Sequence, residues 1–439
     1  MSRSARGVEE GLSGWLGLRF RIMVLREESG VEDRPGGRLT DHIGLGVLSA
    51  RFHRDLLEEI INRTGCRERR RRRLPAHVMI RYVIAMGLFF DESYEEVMRR
   101  LVGSLRKMGS WVDDWQVPTA SAICQARKRL GVAPIKELFD RAAVPVAGPG
   151  SKGAWLARRR LMAIDGTSFD VSDSDANVEY FGRMGSGPKA SAFPKLQVMA
   201  LAECGSHAIV GAVFGSCRQG ERTLAADLVD KIEPGMLVLA DAGLYSWELF
   251  NTLAATGAEL AWRIGASVSI GHIRWLADGS YLALIFRPGL TAARRARLVQ
   301  QAKAGGQVPE QLARPVRVVE YTVPDRNPDS ELITIITTIL DPAEVSALDL
   351  AGVYHQRWEE ESAIDEVKTD LRGRAEILRS KTPELVEQQA WGLLLAHYAI
   401  RALICEAADE AGYDPDRLSF IRGLRVVRRQ VTDQAAISP

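Results

Sequence analysis

The sequence has little of what would settle its class cheaply. Only 5 of its 439 residues are cysteine (Cys66, Cys124, Cys204, Cys217, Cys405), an odd number, far apart and without a Cys-x-x-Cys pair. That excludes a disulfide framework and a zinc knuckle, and it suits a reducing, cytoplasmic setting. The seven histidines show no His-Glu-x-x-His or other ligand spacing, so zinc has no support. The most apolar early stretch, residues 14–25, is interrupted by Arg19 and Arg21, which argues against a signal peptide and a membrane span. Aromatics make up 7%, hydrophobic residues 46% and charged residues 26%, an ordinary globular balance with length for two or three domains.

Charge of one sign is also missing, since 58 Lys+Arg against 56 Asp+Glu leave +2. The distribution says more. Residues 1–150 hold 26 basic against 19 acidic residues (+7), leaving 32 against 37 (−5) for residues 151–439. A basic front and an acidic remainder suit a chain that grips an anion with one part and holds metal ions with another.

Residues 1–38 are Gly- and Arg-rich without periodicity and read as a poorly ordered leader. Residues 39–150 read as a compact helical domain. Residues 78–90 are long and apolar enough for a buried helix, Ser93 and Glu96 form a capping box, and residues 123–130 form a helix ended by Gly131. A turn-rich stretch at 144–153 marks a boundary. Strands are expected at 160–171, 196–203, 208–214, 236–240 and 259–264, with helices at 222–232 and 247–256, an α/β order. Residues 267–340 read as a β-rich insertion with strands at 281–286, 316–323 and 331–339 around an Ala/Arg/Gln-rich segment. One long helix is expected up to residue 371 and another over 383–411, followed by a basic tail, residues 413–439.

Two aspartates stand out by position. Asp165 lies mid-strand among apolar neighbours, where a carboxylate is costly unless paired or metal-bound. The blander account is an edge strand with Asp165 opening a turn at Gly166. Asp241 ends the run Val-Leu-Ala-Asp-Ala-Gly, and ligands of α/β sheets bind beyond the carboxyl ends of strands. Its blander account is a cap for the helix that starts near Ser246. On the long helix, at about 100° per residue from Tyr354, Arg357 falls at about 300°, Glu361 at about 340° and Lys368 at about 320°. That stripe is either a site face or a solvated face with salt bridges between turns. Asp365, at about 20°, competes with Glu361 as a metal ligand.

Asp165 in Ile-Asp-Gly-Thr, Asp241 in Ala-Asp-Ala-Gly-Leu-Tyr-Ser, and the spacing Tyr-x2-Arg-x3-Glu-x6-Lys from Tyr354 to Lys368 resemble the catalytic segments of DDE transposases of the insertion element 4 family. The resemblance implies a ribonuclease-H-like mixed sheet with helices, residues 151–266 and 341–412, interrupted by a β-rich insertion at 267–340 and preceded by an all-helical N-terminal domain that binds DNA. It implies Asp165, Asp241 and Glu361 as ligands of two Mg²⁺ or Mn²⁺ ions, with Asp165 between them. Tyr354, Arg357 and Lys368 would hold DNA phosphates. The implied activity is cut-and-paste transposition at terminal inverted repeats, with target DNA as a second substrate and a homodimer or larger multimer in the synaptic complex. The family often follows the second aspartate with Arg; Ala242 stands here, so help from a neighbouring guanidinium is expected to be absent.

Other features are less specific. Arg127, Lys128 and Arg129 sit together on one helix that could read DNA, and the five arginines at 69–73 suit either a linker or phosphates. Residues 182–189 are glycine-rich without nucleotide-loop spacing. Trp247, Trp262 and Trp275 read as core, and Trp358 could stack on a base. Rival accounts are a domesticated or inactive DNA-binding protein, a ribonuclease-H-like nuclease without strand transfer, and, most distantly, a glycosidase.

Overall fold

The computed structural model describes residues 46–70, 72–107, 116–322, 332–355, 363–373 and 377–433. The leader, Arg71, Arg357, Trp358 and Glu361 lie outside the described residues.

Every described element before residue 147 is helical: α1 (Arg54–Arg63), α2 (Ala76–Leu88), α3 (Tyr94–Lys107), α4 (Ala120–Leu130) and α5 (Ala133–Ala142), with short 3-10 turns between elements here and later. Their ends follow local chemistry. The Ser93 hydroxyl accepts from the Glu96 N–H at 3.1 Å, and Thr119 Oγ1 accepts from the Ala122 N–H at 3.3 Å. Gly131 ends α4 at φ 75°, a backbone that favours glycine. Strands follow: β1 (Trp155–Leu156), β2 (Arg159–Val171), then α6 (Asp175–Phe181), β3 (Lys195–Glu203), β4 (Ala208–Ser216), α7 (Glu221–Ala226), β5 (Met236–Ala240), α8 (Trp247–Ala254) and β6 (Glu259–Arg263). The segment expected to be an insertion contains β7 (Ile270–Trp275), β8 (Tyr281–Phe286), α9 (Ala292–Lys303), β9 (Ala313–Thr322) and β10 (Leu332–Thr337). Last come α10 (Ala347–His355), a π-turn (Glu366–Leu371), β11 (Ile377–Leu378), α11 (Pro383–Ala411) and α12 (Phe420–Asp433).

The chain divides into two compact units. The first comprises Met1–Val146, Phe169–Lys195 and Asp365–Pro439, so the front helices share a core with the C-terminal ones rather than standing apart as residues 39–150. At its centre is α11, long and apolar enough to cross a membrane by composition alone, but with 94% of its apolar window buried inside the protein. That is the signature of a core helix. Helices α2 and α11 touch backbone to backbone: a Cβ on Gly392 would come within 2.5 Å of Val83 O, and one on Gly87 within 2.7 Å of Gly392 O. Gly392→Ala is therefore expected to cost about 2–3 kcal/mol, because a helical carbonyl cannot swing aside. Urea unfolding of the full chain reads it; an unchanged midpoint would show that the two helices part freely. Residues 413–433 of the basic tail are also folded. In α12, Arg428 Nε donates to Leu88 O at 2.6 Å.

The second unit, Ala147–Ser168 with Leu196–Ile364, is built on a mixed sheet in the order β4-β3-β2-β5-β6-β10-β9-β8-β7. Strands β2, β5 and β6 run parallel, and β3 and β4 form an antiparallel hairpin. A mixed sheet with helices fits the ribonuclease-H-like class. Strand β10 pairs antiparallel with β6, so the strands of residues 267–340 prolong the edge of the main sheet. The Ala/Arg/Gln-rich segment turns out to be helix α9, whose Leu298 packs on Leu284 and Ala313. Its arginines blur the apolar period that would have announced a helix.

Candidate active site

The register of β2 and β5 brings the two aspartates together. Ile164 pairs with Ala240, so Asp165 and Asp241 follow one another across neighbouring parallel strands, which lie about 4.8 Å apart. Side chains alternate along a strand. Leu161 and Ala163 of β2, and Leu237 and Leu239 of β5, belong to one apolar cluster with Leu350, Val353 and Tyr354 of α10. By period two, Asp165 and Asp241 point to that same face, at its carboxyl end.

Both bland accounts fail on geometry. Strand β2 lies between β3 and β5, not at an edge, and continues through Gly166 to Val171. Helix α8 is capped by Ser246, whose hydroxyl accepts from the Leu249 N–H at 3.1 Å, so Asp241 is not needed as a cap. Asp165 Oδ1 accepts from the Gly166 N–H at 2.8 Å. Asp241 Oδ1 is buried and has no hydrogen-bond partner among the described residues. Glu203 provides the contrast: fully buried, it binds Arg160, the Ala147 N–H at 2.9 Å and the Ser206 hydroxyl at 2.6 Å. A carboxylate oxygen withdrawn from water without a donor is costly unless a cation takes the donor's place. The donor set, two hard carboxylates side by side, fits a divalent ion that prefers oxygen. Among the described residues no group of three or more His, Cys, Asp or Glu stands close enough to hold a metal; the expected third ligand, Glu361, lies outside them.

Tyr354 does not face solvent. It is 6% exposed, and its hydroxyl donates to Ala240 O at 3.2 Å, the carbonyl just before Asp241. The structure thus gives that hydroxyl to the chain where the resemblance gave it to DNA. Tyr354→Phe is expected to lose about 1 kcal/mol of stability with end-DNA affinity unchanged. Equilibrium unfolding and a binding titration check it; lower affinity at unchanged stability would return the hydroxyl to DNA.

Two neighbours escaped the sequence reading. Arg222 of α7 donates Nε to Gly243 O at 3.0 Å, so a guanidinium does stand at the loop after Asp241, although Ala242 supplies none. Glu221, beside it in sequence, brings a carboxyl oxygen 3.5 Å from where a Cβ on Gly166 would sit. Only the fold of α7 against this end of the sheet reveals either residue.

The family is decided by comparison with known proteins. A family described as "Transposase DDE domain" matches residues 156–399, and one described as "Insertion element 4 transposase N-terminal" matches residues 42–140. The chain belongs to the DDE transposases of the insertion element 4 family. It is a DNA transposase, an enzyme of a class that uses divalent metal ions. Among its relatives, the transposase InsG for insertion sequence element IS4 of Escherichia coli strain K12 is 28% identical over 398 residues, 88% of this chain and 82% of its own. A solved piggyBac transposase synaptic complex with hairpin DNA is similar over 88% of this chain and 80% of its own, at 10% identity and a TM-score of 0.44.

The transposase's remaining expected site residues lie in the other unit or outside the description. Arg357 and Glu361 are outside it. Lys368 sits in the π-turn, half-buried, and makes no ion pair among the described residues. A π-turn bonds i to i+5, so the expected spacing of about 100° per residue does not hold within the turn that carries Lys368; Arg357 and Glu361 of the expected stripe lie outside the described residues. Asp365, the rival ligand, is exposed just before that turn. Arg127 is the clearest correction: it is fully buried, with Nε on Gln388 Oε1 at 2.8 Å and Nη2 on Leu385 O at 2.8 Å. Lys128 and Arg129 are exposed, and Arg129 donates to Leu74 O at 2.9 Å. Trp275, read as core, is 65% exposed at the free edge of β7, whereas Trp247 and Trp262 are buried.

Proposed function

We propose that the transposase moves its element by cut-and-paste, with Asp165, Asp241 and Glu361 as the ligands of two Mg²⁺ or Mn²⁺ ions. The observation that carries this is the pair of neighbouring carboxylates on β2 and at the carboxyl end of β5, one with a buried oxygen that lacks a donor among the described residues. Asp165, Asp241 and Glu361 would hold the ions through their carboxylate oxygens. When bound, the ions would supply activation of the attacking oxygen and stabilisation of the leaving one. Arg357 grips a phosphate near the scissile bond through its planar fork, and Lys368 acts as a point charge. Water first hydrolyses a phosphodiester to a 3′-hydroxyl and a 5′-phosphate; in the joining step that hydroxyl attacks a target phosphorus, so one phosphodiester forms as the target's breaks and a target 3′-hydroxyl leaves with the proton.

Residues 39–150 hold the terminal inverted repeats, with Lys128 and Arg129 on phosphates, and two ends are brought together by a dimer or larger multimer. The test uses the full chain and end-bearing DNA. Chelation of divalent ions is expected to abolish nicking while leaving end binding, and Mg²⁺ or Mn²⁺ to restore both nicking and joined target products. End binding with no nicking in either metal would favour a domesticated protein. Nicks without joined products would favour a nuclease.

A further inference from the structure

The π-turn carries a carboxylate that the reaction scheme does not use. Glu366 is 8% exposed; its Oε2 lies 3.0 Å from His397 Nε2 and accepts from Arg401 Nε at 2.7 Å, and Arg401 Nη2 reaches its other oxygen. His397 and Arg401 are four residues apart on α11, which puts them on one face, and both are buried. Phe420 of α12 closes the cluster, its ring centroid 5.2 Å from the His397 ring and 5.5 Å from the Arg401 guanidinium. The far end of the turn is held as well: Arg428 Nη2 donates to Leu371 O at 3.3 Å, and Arg372 Nε donates to Lys368 O at 3.0 Å. Between these anchors sits Lys368, with its ammonium unpaired among the described residues.

Buried charge clusters are seldom the most stable way to fill a core, so stability is a poor account of this one. A π-turn widens the helix by a residue and is common at functional sites. We propose that Glu366, clamped by His397 and Arg401, is a positioning residue that holds the π-turn in the shape that presents Lys368 to a DNA phosphate. The inference rests on the reading of Lys368 as a phosphate-holding residue. It makes Glu366 act through Lys368 and not on DNA.

A double-mutant cycle on the full chain tests it, with single-turnover cleavage of end-bearing DNA in Mg²⁺. Glu366→Gln keeps the size and an acceptor but removes the charge. It is expected to slow cleavage at saturating DNA by about 10–100-fold, in the range that supporting residues command, with end binding within about twofold of the parent. In a Lys368→Ala background the same change is expected to add no more than about twofold, because the residue it acts through is gone. His397→Gln, taken through the same cycle, covers the case in which Glu366→Gln does not fold. Rates that multiply in the double variant, or parental cleavage with a lowered melting temperature, would overturn the inference. Lys368→Ala cleaving at the parental rate would overturn both the phosphate reading and this inference. A slow Lys368→Ala with multiplying rates overturns the inference alone.

Discussion

Asp241→Ala is expected to slow metal-dependent cleavage of end-bearing DNA by about 10³-fold or more, roughly 4 kcal/mol of transition-state stabilisation. The distinctive part is what happens to the fold. Asp241 Oδ1 is buried without a donor among the described residues, so the aspartate stabilises nothing that the structure shows. Removing it relieves a desolvation cost, and the metal-free variant should melt at or above the temperature of the parent. A structural carboxylate such as Glu203, with three kinds of partner, would behave in the opposite way. Calorimetry without metal, paired with single-turnover cleavage in Mg²⁺, separates the two. Full cleavage by Asp241→Ala would remove it from the metal site, and a lower melting temperature with parental rates would make it a structural residue.

Arg127→Leu should do the reverse. Its guanidinium serves Gln388 Oε1, Leu385 O, the Ser380 hydroxyl and the Tyr94 hydroxyl from a fully buried position. Truncation leaves Gln388 Oε1 without its donor at 2.8 Å and removes the charge-assisted bonds to Leu385 O and the two hydroxyls from a buried site, so a loss of about 3–5 kcal/mol is expected. DNA affinity of the folded fraction should not move. The neighbouring Lys128→Ala should leave stability within about 0.5 kcal/mol but weaken DNA binding and reduce its salt slope by about one. Urea unfolding and binding across a salt series measure both. Equal DNA defects in the two variants, with Arg127→Leu as stable as the parent, would restore the reading of Arg127 as a DNA contact.

The contrast shows where sequence reading works. Lys128 and Arg127 are adjacent cations of one helix, and nothing in their order says which faces solvent. Partners 253 to 261 positions away decide it. The same holds for Tyr354, whose phenol suits DNA or a carbonyl equally well until α10 is laid on the sheet. Regular elements were more legible. The bounds of β5, β8 and α11 coincide with the expected 236–240, 281–286 and 383–411, because long apolar runs and their breakers act locally. The elements β1, α6 and β11 escaped, since two are only two residues long and α6 mixes polar with apolar residues without a continuous apolar run.

By itself the sequence determined the α/β class, the two aspartates at strand positions and the spacing from Tyr354 to Lys368. These are one-dimensional properties, set by period, by turn chemistry and by residue type at a fixed offset. Tertiary structure alone decided that Asp165 and Asp241 are neighbours, that Asp241 keeps an oxygen without a donor among the described residues, that Arg222 reaches the loop after it, and that Glu366 is bound by His397 and Arg401. The reason is physical: burial and hydrogen-bond satisfaction are properties of pairs brought together by the fold, and a single chain position does not carry them.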